Sequence, residues 1–323
     1  MDYGHKIADE KLKELEKRLK KEYSKAANQA YKKARSYLDN FQETDEFLRQ
    51  KVKSGQMPKK MYQQWRTLTL TTGHHWEDIT KQMTTDYINA NKIAAEMIRN
   101  HSYDMYALNF NYGTFEVEKG TLINTSFTLY DRDTVKRLML DNPQLLPEPS
   151  ELLTGLKANQ YTRSKLQSVA IQSILQGESI PNMAIRLAQE TGETDLNVAV
   201  RNARTMTTSA ENAGRNDSYK RAQDMGIKMR RIWVATLDSR TRDSHREVDG
   251  EAQEIGDTFS NGLEYPGDMS GDPAEVYNCR CTLIADVKGS KISEYLEEQR
   301  KDFSLEGQDY NEWKRGRKKN ERR

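Results

Sequence analysis

Three side chains in the C-terminal third of the sequence have the chemistry of a soft-metal site: His245, Cys279 and Cys281. Residues two apart on a strand face the same side, so the thiols of Cys279 and Cys281 can converge on one tetrahedral ion at roughly 2.3 Å. His245 would be a third ligand of such a structural zinc, and Asp238, Asp249 and Asp268 are the candidates for a fourth. A metal-free reading stands beside it, because proven structural zinc sites use Cys-x-x-Cys far more often than Cys-x-Cys. In that reading both cysteines are small buried hydrophobes and His245 is a hydrogen-bonded packing residue. A Cys279–Cys281 disulfide would be strained. Arg240, Arg242 and Arg246 alternate with Asp238, Asp243 and Asp249, a pattern that suits either an anion-binding network or a set of ion pairs locking a loop to a helix. His74 and His75 are adjacent, so on a helix they point apart and do not chelate. The sequence contains no phosphate loop, no His-Glu-x-x-His and no nucleophile elbow.

A second chemical candidate closes the chain. Lys314, Arg315, Arg317, Lys318, Lys319, Arg322 and Arg323 are seven of the last ten residues. So polar a segment has little apolar surface to bury and is expected to be disordered in isolation, serving either as a contact for nucleic-acid phosphates or as a solubilising end.

The elements that must position these groups follow from periodicity. Ala8, Leu12, Leu15, Leu19, Tyr23, Ala27, Ala30, Ala34, Leu38 and Phe41 recur at three- and four-residue steps, which predicts a long amphipathic helix whose small alanines favour close packing on another helix. Ser54 to Pro58 interrupts the pattern, and Ile79, Met83, Tyr87, Ala90, Ala94, Met97 and Ile98 resume it. Between Phe110 and Tyr130 the period shortens. Thr114 to Glu118 and Thr121 to Leu129 flank Gly120 and read as a short hairpin within 113–130. Pro143, Pro147 and Pro149 mark the clearest linker. Helix returns from Tyr161 to Gly226 in three expected pieces, the first stopping at Gly177 and the second starting around Pro181. Lys228 to Thr236 is a strand by composition, Thr241 to Val248 a short helix, and Asn278 to Val287 a second strand with Cys279, Cys281 and Leu283 on one face. The glycine-containing loop between them is too long for a turn and should wrap against the sheet.

The fold class is therefore mainly α with a small C-terminal α+β domain. The expected division is a helical N-terminal domain over 1–150, a helical middle region over 151–227, the compact cassette over 228–288, and a polar helix with basic tail over 289–323. Composition agrees: 35% apolar residues is well below the roughly 45–50% usual for soluble domains, and 31% are charged. The 51 basic and 49 acidic residues nearly cancel to +2, so no global nucleic-acid footprint follows. Two cysteines do not make a secreted disulfide framework, the N-terminus lacks the apolar core of a signal peptide, and no run is apolar enough to anchor the chain in a membrane.

The stretches Trp233 to His245, Asp249-Gly-Glu251, Tyr265-Pro-Gly-Asp268 and Asn278-Cys-Arg-Cys281 together resemble the signature of MuF-type phage head morphogenesis proteins. Leu175-Gln-Gly-Glu-Ser-Ile-Pro181, Ala203-Arg-Thr205 and Gly214-Arg-Asn-Asp-Ser-Tyr-Lys220 extend the resemblance over roughly residues 160–285. It implies a minor head protein of a tailed bacteriophage, made in the host cytoplasm and held in few copies in the capsid interior near the portal. The implied role is head morphogenesis and genome packaging or delivery, not catalysis. The implied partners are the portal protein and the scaffold or major capsid protein, with non-specific DNA contact. The competing class is a metal-dependent hydrolase or nuclease using His245, Cys279 and Cys281, with Asp238 or Asp249.

Overall fold

A computed structural model of the chain describes residues 2–292, 305 and 307–321. Its elements run α1 (Tyr3–Asp39), α2 (Gln42–Lys53), α3 (Lys59–Leu70), α4 (His74–Thr121), α5 (Arg132–Asp141), a 3-10 turn (Pro143–Leu145), α6 (Gly155–Leu175), α7 (Ile180–Asp224), β1 (Ile227–Val234), α8 (Asp243–Glu247), β2 (Ala252–Glu254), α9 (Pro273–Val276), β3 (Thr282–Ile292) and α10 (Tyr310–Glu321). Helix accounts for 69% of the structure and, among the described residues, the strands form one three-stranded sheet near the C-terminal end, which bears out the mainly α class with a small α+β part.

The polypeptide forms two compact units, and both are assembled from separated segments. One comprises residues 1–15, 98–148 and 201–323, the other 16–97 and 149–200. The units thus cut across the consecutive division expected from the sequence, because α1, α4 and α7 each continue from one unit into the other.

In the second unit, α1 buries Leu19, Tyr23, Ala26, Ala30, Ala34 and Leu38, close to the stripe read from the sequence with Ala26 in place of Ala27. The stripe is covered within the chain itself. Between these helices lies a polar thread: the Tyr23 hydroxyl donates to Asn91 Oδ1 at 2.5 Å, Asn91 Nδ2 to Asp195 Oδ2 at 3.3 Å, and Thr162 Oγ1 to the same oxygen at 3.2 Å. Burial raises the Asp195 carboxyl to about 6 against these bonds. α6 ends at Leu175, and Gly177 takes the left-handed backbone (φ 70°) that lets the chain turn back into α7. The second and third helices expected after Gly177 are one helix of 45 residues, continuous through Gly192.

In the first unit, β1 pairs antiparallel with both β2 and β3 in the order β2-β1-β3, with Trp233 opposite Leu283 and Ile232 opposite Ala252 and Ile284. β1 alternates: Ile227, Met229, Arg231 and Trp233 are buried while Lys228 and Arg230 face out. The core under the sheet joins Trp233 and Leu283 to Tyr219 and Ala222 of α7, to Val248, and to Phe259 and Leu263. The loop after β2 therefore does wrap against the sheet, as its length required.

Two expectations are corrected here. The hairpin over 113–130 does not form. α4 continues to Thr121, and from Ser102 to Glu118 none of its positions is exposed, so the 3.6-residue period is lost because the helix is buried all round. The alternation beyond it is real, since Ile123 and Thr125 are buried between exposed neighbours. The backbone there bonds to side chains instead of a strand: Thr125 N–H donates to Glu118 Oε1 at 2.8 Å and Tyr130 N–H to Asn111 Oδ1 at 2.8 Å. The basic tail is not disordered through 310–321. It forms α10, held by Trp313, which is buried with Tyr310 against Tyr112 and Phe115 of α4.

A neutral amide at position 195 should stabilise the fold at neutral pH. A carboxyl whose folded pKa lies above its unfolded 3.8 favours folding only in its protonated form, so its contribution declines as pH rises from about 4 through about 6. Denaturant titration of Asp195→Asn should show a gain of up to about 3 kcal/mol at pH 7.5 that shrinks toward pH 4. A gain independent of pH, or a loss at pH 7.5, would contradict this account of Asp195.

Candidate metal centre and the helix face that builds it

Thr205, Thr208, Asn212 and Arg215 follow one another at steps of three and four, so they form one stripe along α7. All are buried, which is costly for polar groups without partners. Their partners are backbone groups of the segment leading into β3. Asn278 N–H donates to Thr205 Oγ1 at 3.1 Å, Thr208 Oγ1 to the Cys279 carbonyl at 2.6 Å, and Asn212 Nδ2 to the Cys281 carbonyl at 3.1 Å. Leu283 N–H then donates to Asn212 Oδ1 at 2.8 Å, and Arg215 Nη1 to the Leu283 carbonyl at 2.6 Å. The helix face thus occupies the place of a neighbouring strand, and the backbone from 279 to 283 is laid along it at every second residue. Glu211 adds a bond from Thr282 Oγ1 at 2.8 Å and an ion pair with His5 Nδ1 at 2.8 Å. Burial alone would lower the His5 pKa, but the Glu211 carboxylate raises it to about 9.

This placement sends Cys279 and Cys281 to the same side, as expected, although both precede the strand proper. α8 brings His245 to them. His245 Nδ1 lies 3.6 Å from Cys279 Sγ and 3.4 Å from Cys281 Sγ, the donor atoms of all three lie within 4.8 Å of one another, and each residue is buried. A hydrogen bond from the Cys279 thiol, then one from the imidazole of His245, lowers Cys281 to about 5 despite its burial, while the same pairing raises Cys279. The other imidazole nitrogen, Nε2, is 3.0 Å from Glu275 Oε2 of α9, though without hydrogen-bond alignment. The Glu275 carboxylate is steadied by Ser244 Oγ at 2.7 Å, and the Trp233 ring meets the imidazole edge-on at 5.2 Å between centroids.

The proposed fourth ligands do not join this group. Asp238 forms a two-pronged pair with Arg280 (2.7 and 2.6 Å), which holds its carboxyl well below the usual range. Asp249 accepts from Ala235 N–H at 2.8 Å, and Asp268 from Glu264 and Ser270 N–H at 3.0 and 2.9 Å. Of the arginines, Arg242 donates to the carbonyl of Tyr277 and Arg246 to that of Asp238, so these two fasten loops, while Arg240 is exposed and lies 3.5 Å from Asp238. In α10 the candidate phosphate ligands divide. Arg317 pairs with the buried Glu118, which also accepts from Trp313 Nε1 at 2.7 Å, and Lys314 lies over the Tyr310 ring. Arg315, Lys318 and Lys319 are exposed, while Arg322 and Arg323 lie outside the described residues. Sequence reasoning missed Glu275, Glu118 and the bonding stripe of α7. Only the stripe left a signal, as polar residues at helical spacing among buried alanines.

Residues 164–284 match the family described as Phage Mu protein F like protein, a span that contains the α7 stripe, His245, Glu275 and both cysteines. Over that stretch the chain resembles the MuF-type phage head proteins. It is 28% identical over 221 residues to minor head protein GP7 of Bacillus phage SPP1, covering 66% of this chain and 67% of that one. It is also 32% identical over 145 residues to an Enterococcus faecalis protein named NAD(+)--arginine ADP-ribosyltransferase EFV, 44% of this chain and 29% of that protein. An uncharacterized protein of Haemophilus influenzae shares 29% identity over 134 residues. The chain thus spans under a third of the enterococcal and Haemophilus relatives, at 29% and 27% of their lengths. No solved structure matches it.

Asn212 satisfies one acceptor and one donor of the cysteine segment, so Asn212→Leu leaves both buried and unpaired. A loss on the order of 3 kcal/mol is expected in denaturant unfolding. A loss under 0.5 kcal/mol would mean that the helix face does not hold this segment.

Proposed function

We propose that this chain is a minor head protein that acts at the portal of a tailed bacteriophage, within the capsid, in head morphogenesis and in genome packaging or delivery, without catalysing a reaction. The carrying observation is the match to the SPP1 minor head protein, which extends over two thirds of both chains and so reaches well beyond the 164–284 region. The buried donors of the cysteine site favour a structural role, since a group that must reach a substrate is better placed in an open cleft. The portal protein is the leading partner, with the scaffold or major capsid protein next to it. The experiment is to delete the gene in its own phage and to follow the protein through assembly. The protein should co-sediment with procapsids and portal rings, and its loss should leave shells that package or deliver less DNA. Its absence from both procapsids and virions would sink the reading. Transfer of ADP-ribose from NAD to protein arginines by the purified chain, or metal-dependent DNA cleavage lost in His245→Ala, would overturn the non-enzymatic part.

Contact with packaged DNA falls to the exposed cations of α10. Each phosphate contact contributes about −0.9 to the slope of log affinity against log salt. Replacing Arg315, Lys318 and Lys319 by Gln should therefore flatten the slope by about 2.7 while α10 stays docked through Trp313 and Arg317. An unchanged slope would assign these residues to solubility alone.

A further inference from the structure

We propose that His245 Nδ1, Cys279 Sγ and Cys281 Sγ are the three protein ligands of a zinc ion, and that Glu275 is the carboxylate that orients His245 toward it. Zinc–nitrogen and zinc–sulfur bonds of about 2.05 and 2.3 Å at a tetrahedral angle place N and S about 3.5 Å apart. The two distances here are 3.6 and 3.4 Å, and one nitrogen lies nearly equally far from both sulfurs. Thiol–imidazole hydrogen bonding alone accounts for this less well, because a single proton on Nδ1 serves one acceptor. Three donor atoms gathered within 4.8 Å of one another are an arrangement that a cation satisfies. Coordination through Nδ1 leaves the proton on Nε2, the atom that faces the Glu275 carboxylate at 3.0 Å, and metal-bound histidines commonly hold such a carboxylate on the far nitrogen. A small swing of Glu275 completes that hydrogen bond for Nε2, which otherwise has none.

The donor set is soft, with two thiols and an imidazole, and suits zinc over magnesium or calcium. Among the described residues no further histidine, cysteine or carboxylate belongs to the group, so one tetrahedral position remains for a ligand outside it. The ion would close a loop of structure that joins α8, α9 and the segment entering β3. These pieces share little regular hydrogen bonding with one another: α8 has five residues and α9 four. Small domains with short elements commonly gain their stability from such a staple.

The test uses the full-length chain expressed with zinc in the medium and purified without chelator. Elemental analysis should find one zinc per chain, and cobalt substitution should give the intense near-ultraviolet thiolate-to-cobalt absorption together with the visible bands of a tetrahedral ion. Chelation should lower the thermal midpoint of the wild-type chain. Cys281→Ser should abolish the thiolate band or reduce it by about half, and Glu275→Gln, which leaves all three ligands in place, should weaken zinc binding by about tenfold to a hundredfold. Should Cys281→Ser fail to fold, the wild-type stoichiometry, the cobalt spectrum and Glu275→Gln decide the matter. A natively helical wild-type chain that holds no zinc and shows no cobalt–thiolate absorption overturns the proposal. Zinc retained at full stoichiometry and affinity by both Cys279→Ser and Cys281→Ser also overturns it, since the ion would then be bound elsewhere. Wild-type affinity in Glu275→Gln overturns the role given to that carboxylate.

Discussion

The guanidinium of Arg215 is wholly buried, and a charge in that position is tolerated only if every direction around it supplies a partner. Asp2 grips it with both carboxylate oxygens at 2.6 and 2.9 Å, Asn109 Oδ1 accepts from its Nε at 3.1 Å, and the Leu283 carbonyl from its Nη1 at 2.6 Å. The Tyr112 ring lies 5.0 Å from its centre. One side chain of α7 therefore ties together the start of α1, the middle of α4 and the beginning of β3. The neighbouring Gly214 shows how close these elements come, since a β-carbon there would lie 2.4 Å from the Tyr106 carbonyl oxygen of α4. The cysteine segment hangs from the same stripe, so the candidate metal centre depends on a bond made some distance from it.

An apolar fraction of 35% would ordinarily put the polar excess on the surface. Part of the polar excess is instead inside. Arg66 and Asp45 are both buried and lie 3.0 Å apart, Asp195 sits among Tyr23, Asn91 and Thr162, and Glu118 receives bonds from Thr125, Trp313 and Arg317. Asp195 and Glu118 join segments far apart in the chain, and Arg66 and Asp45 join the consecutive helices α3 and α2. Long helices rich in small residues leave narrow spaces that few large apolar side chains would fill, and polar networks bridge them with direction as well as volume. The composition is thus compatible with a well-defined interior, at the cost of making that interior intolerant of single polar deletions.

Local patterns carried much of the architecture. The composition of Lys228 to Thr236 gave away β1, the i,i+2 spacing of Cys279 and Cys281 their shared face, and Gly177 the end of α6. The failures share a physical cause. Phe115 and Val117 looked like strand residues because a helix buried on all sides has no amphipathic period to read. The cations of the tail looked unpartnered because the acid that receives Arg317 is 199 residues away in sequence. Glu275 could not be assigned to His245 for the same reason, since nothing in the order of residues says which carboxylate a loop will bring back. The MuF-type resemblance read from residues 160–285 agrees with the family match over 164–284, yet it held no information about which side chains bond to one another there.

The covered flank of the segment entering β3 has a consequence for how the sheet meets other molecules. A sheet of three strands has two free borders, and an uncovered border of N–H and C=O groups is a template onto which a strand from another molecule can add. Along 278–283 that border is occupied by the side chains of Thr205, Thr208, Asn212 and Arg215, which use its donors and acceptors one by one. A helix cannot be extended by strand addition. The arrangement therefore closes the cysteine-bearing stretch of that border to strand addition from another molecule.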